Sequence, residues 1–177
     1  MSEIKRALEK CGALRFGKFT LASGAESDYY VDIKKASTDP GTLYLISQLM
    51  AEQIQTSGKR YDRIAGVVLG SVPLAAALSL ATGIPYVMVR KERKDHGMSK
   101  QIEGDLNVND NVIVIEDVIT SAGSSISAIS TLREAGASVE DVITVIDRES
   151  GGKEALSSIG VTLTSLARAS DLLGSRN

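Results

Sequence analysis

The stretch Asn111–Ser125, NVIVIEDVITSAGSS, limits what this chain can fold into more than any other. Val112 to Ile115 are consecutive apolar β-formers, and so short an apolar run marks a strand buried on both faces of a parallel sheet. Glu116 and Asp117 follow at once. Thr120, Ser121, Ala122, Gly123, Ser124 and Ser125 then make a turn of small, mostly hydroxylated residues. After it, Ile126, Ile129 and Leu132 recur at helical spacing. Strand, acidic pair, small loop and helix is the opening of a βαβ unit, which points to an α/β sheet with right-handed crossovers.

That order has a chemical use. Ligands of open α/β sheets bind beyond the carboxyl ends of the strands. A turn of small residues lets backbone N–H groups approach an anion closely. The helix start behind it adds unpaired N–H groups and a positive dipole end. Thr120, Ser121, Ser124 and Ser125 add hydroxyl donors. A phosphate suits such a turn. Glu116 and Asp117 cannot bind phosphate themselves; they suit the hydroxyls of a ribose, or a magnesium ion and its waters. The plainer alternative is a buried strand with an ordinary polar βα turn. The glycines and lysine of a Walker A loop or a dinucleotide fingerprint are absent.

The rest of the chain extends the alternation of strand and helix. Ile4, Ala7, Leu8 and Cys11 mark one face of a first helix, with Ser2 as its N-cap. Residues 16–23 and 29–33 read as two antiparallel strands turned at Gly24, a small hood beside the main sheet. The pair Lys34 and Lys35 after them suits a solvated surface. Asp39-Pro40 starts a helix whose buried stripe is Leu43, Ile46, Leu49, Met50 and Ile54, and Gly58 ends it. Residues 64–69 and 86–89 are buried strands, joined by the turn Gly70-Ser71-Val72-Pro73 and a helix over 74–81. Close packing explains Gly70; so does a pyrophosphate contact at its backbone. Strands over 138–146 and 161–166 follow, with a short helix over 153–158 and a terminal turn at 171–173. The expectation is a Rossmann-like, mostly parallel five-stranded sheet flanked by helices. At 177 residues it forms one domain, with helix and hood over 1–38 and core over 39–177.

One segment has no apolar period: Arg90-Lys91-Glu92-Arg93-Lys94-Asp95-His96-Gly97-Met98-Ser99-Lys100. In a chain of formal net charge −2, five basic residues and the sole histidine in one segment are not a matter of composition. A solvated charged loop is one account. A mobile loop over about 90–108 that folds over a phosphosugar and neutralises diphosphate is the other. The acidic balance and the absence of Trp argue against a nucleic-acid partner. The opening MSEIKRALEK lacks the pattern of a secretory leader, and no apolar run approaches membrane-spanning length. Cys11 is the sole cysteine, so an internal disulfide is impossible and a reducing cytoplasm is the expected setting.

The central stretch resembles the 5-phosphoribosyl 1-diphosphate (PRPP) motif of type I phosphoribosyltransferases. Three further segments narrow the likeness. RKERKDHGMSKQIEG at 90–104 resembles the catalytic loop of orotate phosphoribosyltransferases, FTLASGAESDYYVDIKK their N-terminal F-x-L-x-SG-x-x-S-x-YY-x-D segment, and IDRESGG at 146–152 their substrate-side Asp-Arg turn. Together these cover nearly the whole chain. The resemblance implies transfer of the phosphoribosyl group from PRPP to orotate, with Mg²⁺, giving orotidine 5′-monophosphate and diphosphate on the route to UMP. It implies a PRPP-binding run of Glu116, Asp117, Val118, Ile119, Thr120, Ser121, Ala122, Gly123 and Ser124. In that run the acids hold ribose hydroxyls, directly or near the metal, and Thr120 to Ser124 cradle the 5′-phosphate. Arg90, Lys91, Lys94 and His96 would serve the diphosphate, with Lys94, His96 and Asp117 as the catalytic group. Arg148, with Thr120, would face orotate. A homodimer is also implied, each loop crossing to its neighbour's site.

Residue chemistry agrees: a leaving diphosphate needs cations rather than a covalent nucleophile, and arginine grips a planar carboxylate in two-pronged fashion. Purines and uracil lack that carboxylate. The chain also departs from the pattern. Many bacterial relatives carry lysines where this chain has Ala22 and Gly70; Lys18, Lys34 and Lys35 are the cations at hand to replace them. Ala122 stands where a glycine is common and requires a negative φ or a slightly shifted turn. Two other readings share the central motif: a purine or xanthine phosphoribosyltransferase, against which the 90–104 loop and Arg148 speak, and a non-catalytic PRPP sensor, for which the chain has no evident nucleic-acid surface.

Overall fold

Helix and strand alternate much as the sequence implies. The computed structural model describes residues 2–20, 26–90 and 101–174. In order they form α1 (Glu3–Lys10), β1 (Leu14–Thr20), β2 (Glu26–Val31), α2 (Ile33–Ser37), α3 (Pro40–Ser57), β3 (Arg63–Val67), α4 (Val72–Thr82) and β4 (Tyr86–Val89). There follow β5 (Ile102–Glu103), β6 (Asn111–Ile119), α5 (Gly123–Glu134), β7 (Ser138–Asp147), α6 (Gly152–Ser157), β8 (Thr162–Arg168) and α7 (Ala169–Leu173).

The main sheet runs β5-β4-β3-β6-β7-β8. The five expected strands are all mutually parallel. The sixth, β5, was not expected: it pairs antiparallel with the end of β4, Met88 opposite Glu103 and Val89 opposite Ile102. Two residues carry no period from which a strand could be read, and their pairing is set by contact alone. The far end of the expected 90–108 loop is thus anchored to the sheet edge. α2 is likewise new: Asp32 accepts the Lys35 N–H at 3.1 Å and folds the lysine pair into a helical turn.

Side chains alternate across β6 and divide the core in two. Ile113 and Ile115 pack with Ile46, Met50, Leu74 and Leu78 of α3 and α4. Val112 and Val114 pack on the other face with Ala128, Ile129 and Leu132 of α5. α3 begins as read: Asp39 Oδ1 accepts the Thr42 N–H at 2.8 Å, Pro40 occupies the first turn, and Gly58 closes the helix at φ 66°. The hood is no separate body. Ile4, Leu8, Leu14 and Tyr29 belong to the same buried cluster as Ile46 and Met50. Lys5, 4% exposed, donates from Nζ to the Leu172 carbonyl of α7 at 2.6 Å, which ties the N-terminal helix to the C-terminal one.

Candidate active site

β6 does not stop before the acids; it continues through them to Ile119. Period-two alternation therefore sends Glu116 and Asp117 to opposite faces. Glu116 shares the α5 face with Val112 and Val114 and is 4% exposed. Its Oε1 accepts the Ser125 hydroxyl at 2.8 Å and the Ser124 hydroxyl at 3.2 Å, and its Oε2 accepts Ser71 Oγ at 2.8 Å. Burial pushes this carboxyl above its ordinary value; the Ser125 and Ser71 hydroxyls pull the other way, and the neighbouring Asp117 charge adds to the rise.

Asp117 is only partly buried. Its Oδ1 accepts the Val118 N–H at 2.8 Å, and its own N–H donates to Ser71 Oγ at 3.2 Å. Ser71, fully buried, so holds both acids from the turn after β3. Gly70 beside it lies against the Asp117 carboxylate: a Cβ there would collide with Oδ2 and sit 2.8 Å from Cγ.

The turn after β6 leaves Thr120, Ser121 and Gly123 exposed and leads into α5. The first intrahelical bond runs from the Ile126 N–H to the Ala122 carbonyl at 2.9 Å, so the N–H groups of the first turn have no intrahelical partner. Ala122 adopts φ 62°, the left-handed conformation, so of the two accommodations open to an alanine here the negative φ is not the one taken. Its side chain is 4% exposed and joins the cluster of Ile119, Ala128 and Ile129. Burying that methyl is worth about 0.8 kcal/mol, which offsets much of the roughly 1–2 kcal/mol that the conformation costs an alanine.

Sheet register brings the second turn alongside the first. Ile119 lies opposite Asp147, and the Arg148 N–H donates to the Ile119 carbonyl at 2.9 Å. Gly152 packs so closely that a Cβ would stand 2.5 Å from the Thr120 carbonyl oxygen. The Arg148 guanidinium carbon lies 4.8 Å from the centre of the Tyr29 ring, within cation–π range. Tyr29, from the hood strand β2, is 4% exposed; burial raises its phenol pKa and the Arg148 charge opposes the rise. On the other side, β4 ends at Val89, whose carbonyl accepts the Val68 N–H at 2.9 Å. Arg90 follows, with its N–H on the Gln101 carbonyl at 2.8 Å and its guanidinium 3.2 Å from Glu103 Oε1.

Chemically, the carboxyl ends of the strands offer a small-residue turn suited to an anion, the partly buried carboxylate of Asp117, and two arginines, Arg90 after β4 and Arg148 after β7. Among the described residues no group of three or more His, Cys, Asp or Glu converges as a metal cage. Glu116 has both oxygens occupied by serine hydroxyls, so Asp117 is the acid whose position fits a Mg²⁺ held largely by substrate oxygens and water.

Comparison with known proteins agrees with this geometry. The phosphoribosyl transferase domain family matches residues 35–165. An orotate phosphoribosyltransferase of Methanoculleus marisnigri is 49% identical over 173 residues, spanning 98% of both chains. The chain belongs to the orotate phosphoribosyltransferase family. The crystal structure of the Aeropyrum pernix orotate phosphoribosyltransferase superposes with a TM-score of 0.87 at 34% identity, covering 97% of this chain and 96% of that one. The Mycobacterium tuberculosis orotate phosphoribosyltransferase in complex with PRPP superposes at 0.78 with 31% identity, covering 97% and 99%.

Of the site residues expected of an orotate phosphoribosyltransferase, the fold brings together Glu116 to Ser124 and Arg148; Arg90 stands at the end of β4, two strands away from β6. Lys91, Lys94 and His96 lie outside the described residues, as does Ala22. Two members of the site went unassigned in the sequence. Ser71 holds both acids, and only its place after Gly70 in a strand–turn–helix hinted at it. Tyr29 underlies Arg148, and its sole signal was the YY pair of the hood segment.

Proposed function

We propose that this protein transfers the 5-phosphoribosyl group of PRPP to orotate, giving orotidine 5′-monophosphate and diphosphate, with Mg²⁺, as a cytoplasmic homodimer. The observation that carries the proposal is the contact between the two turns: the small, hydroxylated turn at Thr120–Ser124, whose chemistry suits a phosphate, stands beside a cation, Arg148, whose chemistry suits a carboxylate. In this reading the bond from ribose C1 to diphosphate breaks as C1 bonds a ring nitrogen of orotate, and positive charge grows on the sugar. Asp117 faces the ribose hydroxyls or the metal. Glu116, sequestered by three serine hydroxyls, holds Ser124 and Ser71 in place behind it. Arg90, Lys91, Lys94 and His96 take up the charge of the leaving diphosphate. Mg²⁺, when bound, supplies further positive charge to the same oxygens.

Arg148 selects orotate over bases that lack a carboxylate. The dimer rests on the family; Tyr44 and Leu80 of α3 and α4, 66% and 89% exposed, supply apolar surface for such a contact. No helix among the described residues is long and apolar enough to cross a membrane. The test is loss of orotate absorbance on mixing protein, PRPP and Mg²⁺, with adenine, hypoxanthine, xanthine and uracil run in parallel. Turnover of orotate alone is expected, and Lys94→Ala should abolish nearly all of it while leaving the fold intact. Conversion of another base instead would overturn the assignment.

A further inference from the structure

The residue after Arg148 is in a conformation that needs an explanation. Glu149 adopts φ 55°, a region non-glycine residues seldom enter. Gly151, two residues on, is left-handed as well, at φ 87°, but there a glycine supplies the conformation. What the side chain touches supplies the reason. Glu149 Oε2 accepts the Ser170 N–H at 2.7 Å and Oε1 accepts the Ser170 hydroxyl at 3.1 Å, so the carboxylate grips the first turn of α7 with both oxygens. Its backbone is held as firmly: the Glu149 N–H donates to Oδ1 of Asp147, 5% exposed, at 2.8 Å.

α7 is itself fixed at both ends. Asp171 accepts the Arg168 N–H at 3.0 Å at the start. The buried Lys5 ammonium takes the Leu172 carbonyl at 2.6 Å near the end. Arg148 thus lies between a backbone clamped by Asp147 and Glu149 and the ring of Tyr29, which belongs to the hood anchored through α1. Glu149 is the side chain that joins α7 directly to the backbone next to Arg148.

We propose that Glu149 is a positioning residue for base recognition: by gripping Ser170 it holds Arg148 in the orientation that meets the carboxylate of orotate. This rests on Arg148 being the orotate partner, and the experiment separates the two. KM for orotate and for PRPP, kcat and melting temperature are measured for the parent and for Glu149→Ala, Glu149→Gln, Ser170→Ala and Arg148→Ala. Losing two hydrogen bonds to a charged group should raise the orotate KM of Glu149→Ala about tenfold with PRPP KM unchanged, while the melting temperature falls by roughly 4–8 °C because the same bonds also hold the fold. Glu149→Gln, which keeps one acceptor oxygen, should fall between. Ser170→Ala removes only the hydroxyl and should raise orotate KM about two- to threefold; it tests the grip even if Glu149→Ala fails to fold. An orotate KM within twofold of the parent in Glu149→Ala, with a large rise in Arg148→Ala, would overturn this inference alone. No rise in Arg148→Ala would overturn the reading of Arg148 and this inference with it. A lowered melting temperature with both KM values raised alike would assign Glu149 a purely structural role and also refute it.

Discussion

Gly70 is where a single methyl separates the fold from the chemistry. Its φ lies outside the left-handed region, so alanine meets no backbone strain there, and the added Cβ meets essentially one thing, the Asp117 carboxylate. In Gly70→Ala that carboxylate must swing away. Doing so breaks the 2.8 Å bond from the Val118 N–H to Oδ1, worth about 1 kcal/mol at a partly buried site. It also forces a side-chain angle off its preferred well for about 1 kcal/mol more. A total near 2 kcal/mol should lower the melting temperature by roughly 4–8 °C in a domain of this size. Activity should suffer more, because the proposed function sets the displaced group against the ribose hydroxyls or the metal; a shift of about 1 Å costs about 10²-fold in kcat/KM. A double-mutant cycle decides the cause. In an Asp117→Ala background the obstacle is gone, and Gly70→Ala should then cost less than about 0.5 kcal/mol. An equal loss of stability in both backgrounds would refute the collision. Parent-like turnover in Gly70→Ala would refute the placement of Asp117 in the reaction.

Two further outcomes are expected. Gly152→Ala directs its Cβ at the Thr120 carbonyl and Ile119 Cγ2, both at 2.5 Å; backbone cannot give way as a side-chain tip can, so thermal unfolding should show a loss of about 1–3 kcal/mol together with a raised KM for PRPP. Glu116, whose pKa is raised by burial from an ordinary 4.5, binds its proton more tightly folded than unfolded. Its contribution to stability is therefore present below the unfolded value and lost as pH rises through the folded one. Glu116→Gln removes this titration, so the difference in melting temperature between variant and parent should move in the variant's favour from about pH 4 to about pH 7. A constant difference would mean that the carboxyl is not desolvated as the structure has it.

What could be read from the residues, and what could not, follows the range of the forces involved. Strands β3, β4, β6, β7 and β8 and helices α3, α4 and α5 announce themselves because their apolar periods are local and long enough to count. α2 and β5 do not, since five and two residues carry no period. The anion turn was legible as a pattern of small and hydroxylated residues, but the division of labour between its acids was not. It depends on β6 running to Ile119, which puts Glu116 and Asp117 on opposite faces, and on Ser71, forty-five residues before Glu116, reaching one of them. The φ of Ala122 is not legible for a related reason: propensity weighs φ alone, whereas the folded chain weighs φ against a methyl buried in the cluster that holds Ile129. The site is thus local in its anion-binding parts and long-range in the parts that aim them. Tyr29 under Arg148 and Gly70 against Asp117 are both contacts of the second kind. Motif matching thus reaches the family and the turn, while the contacts that hold Arg148 against Tyr29 and Asp117 against Gly70 join segments that no single motif contains.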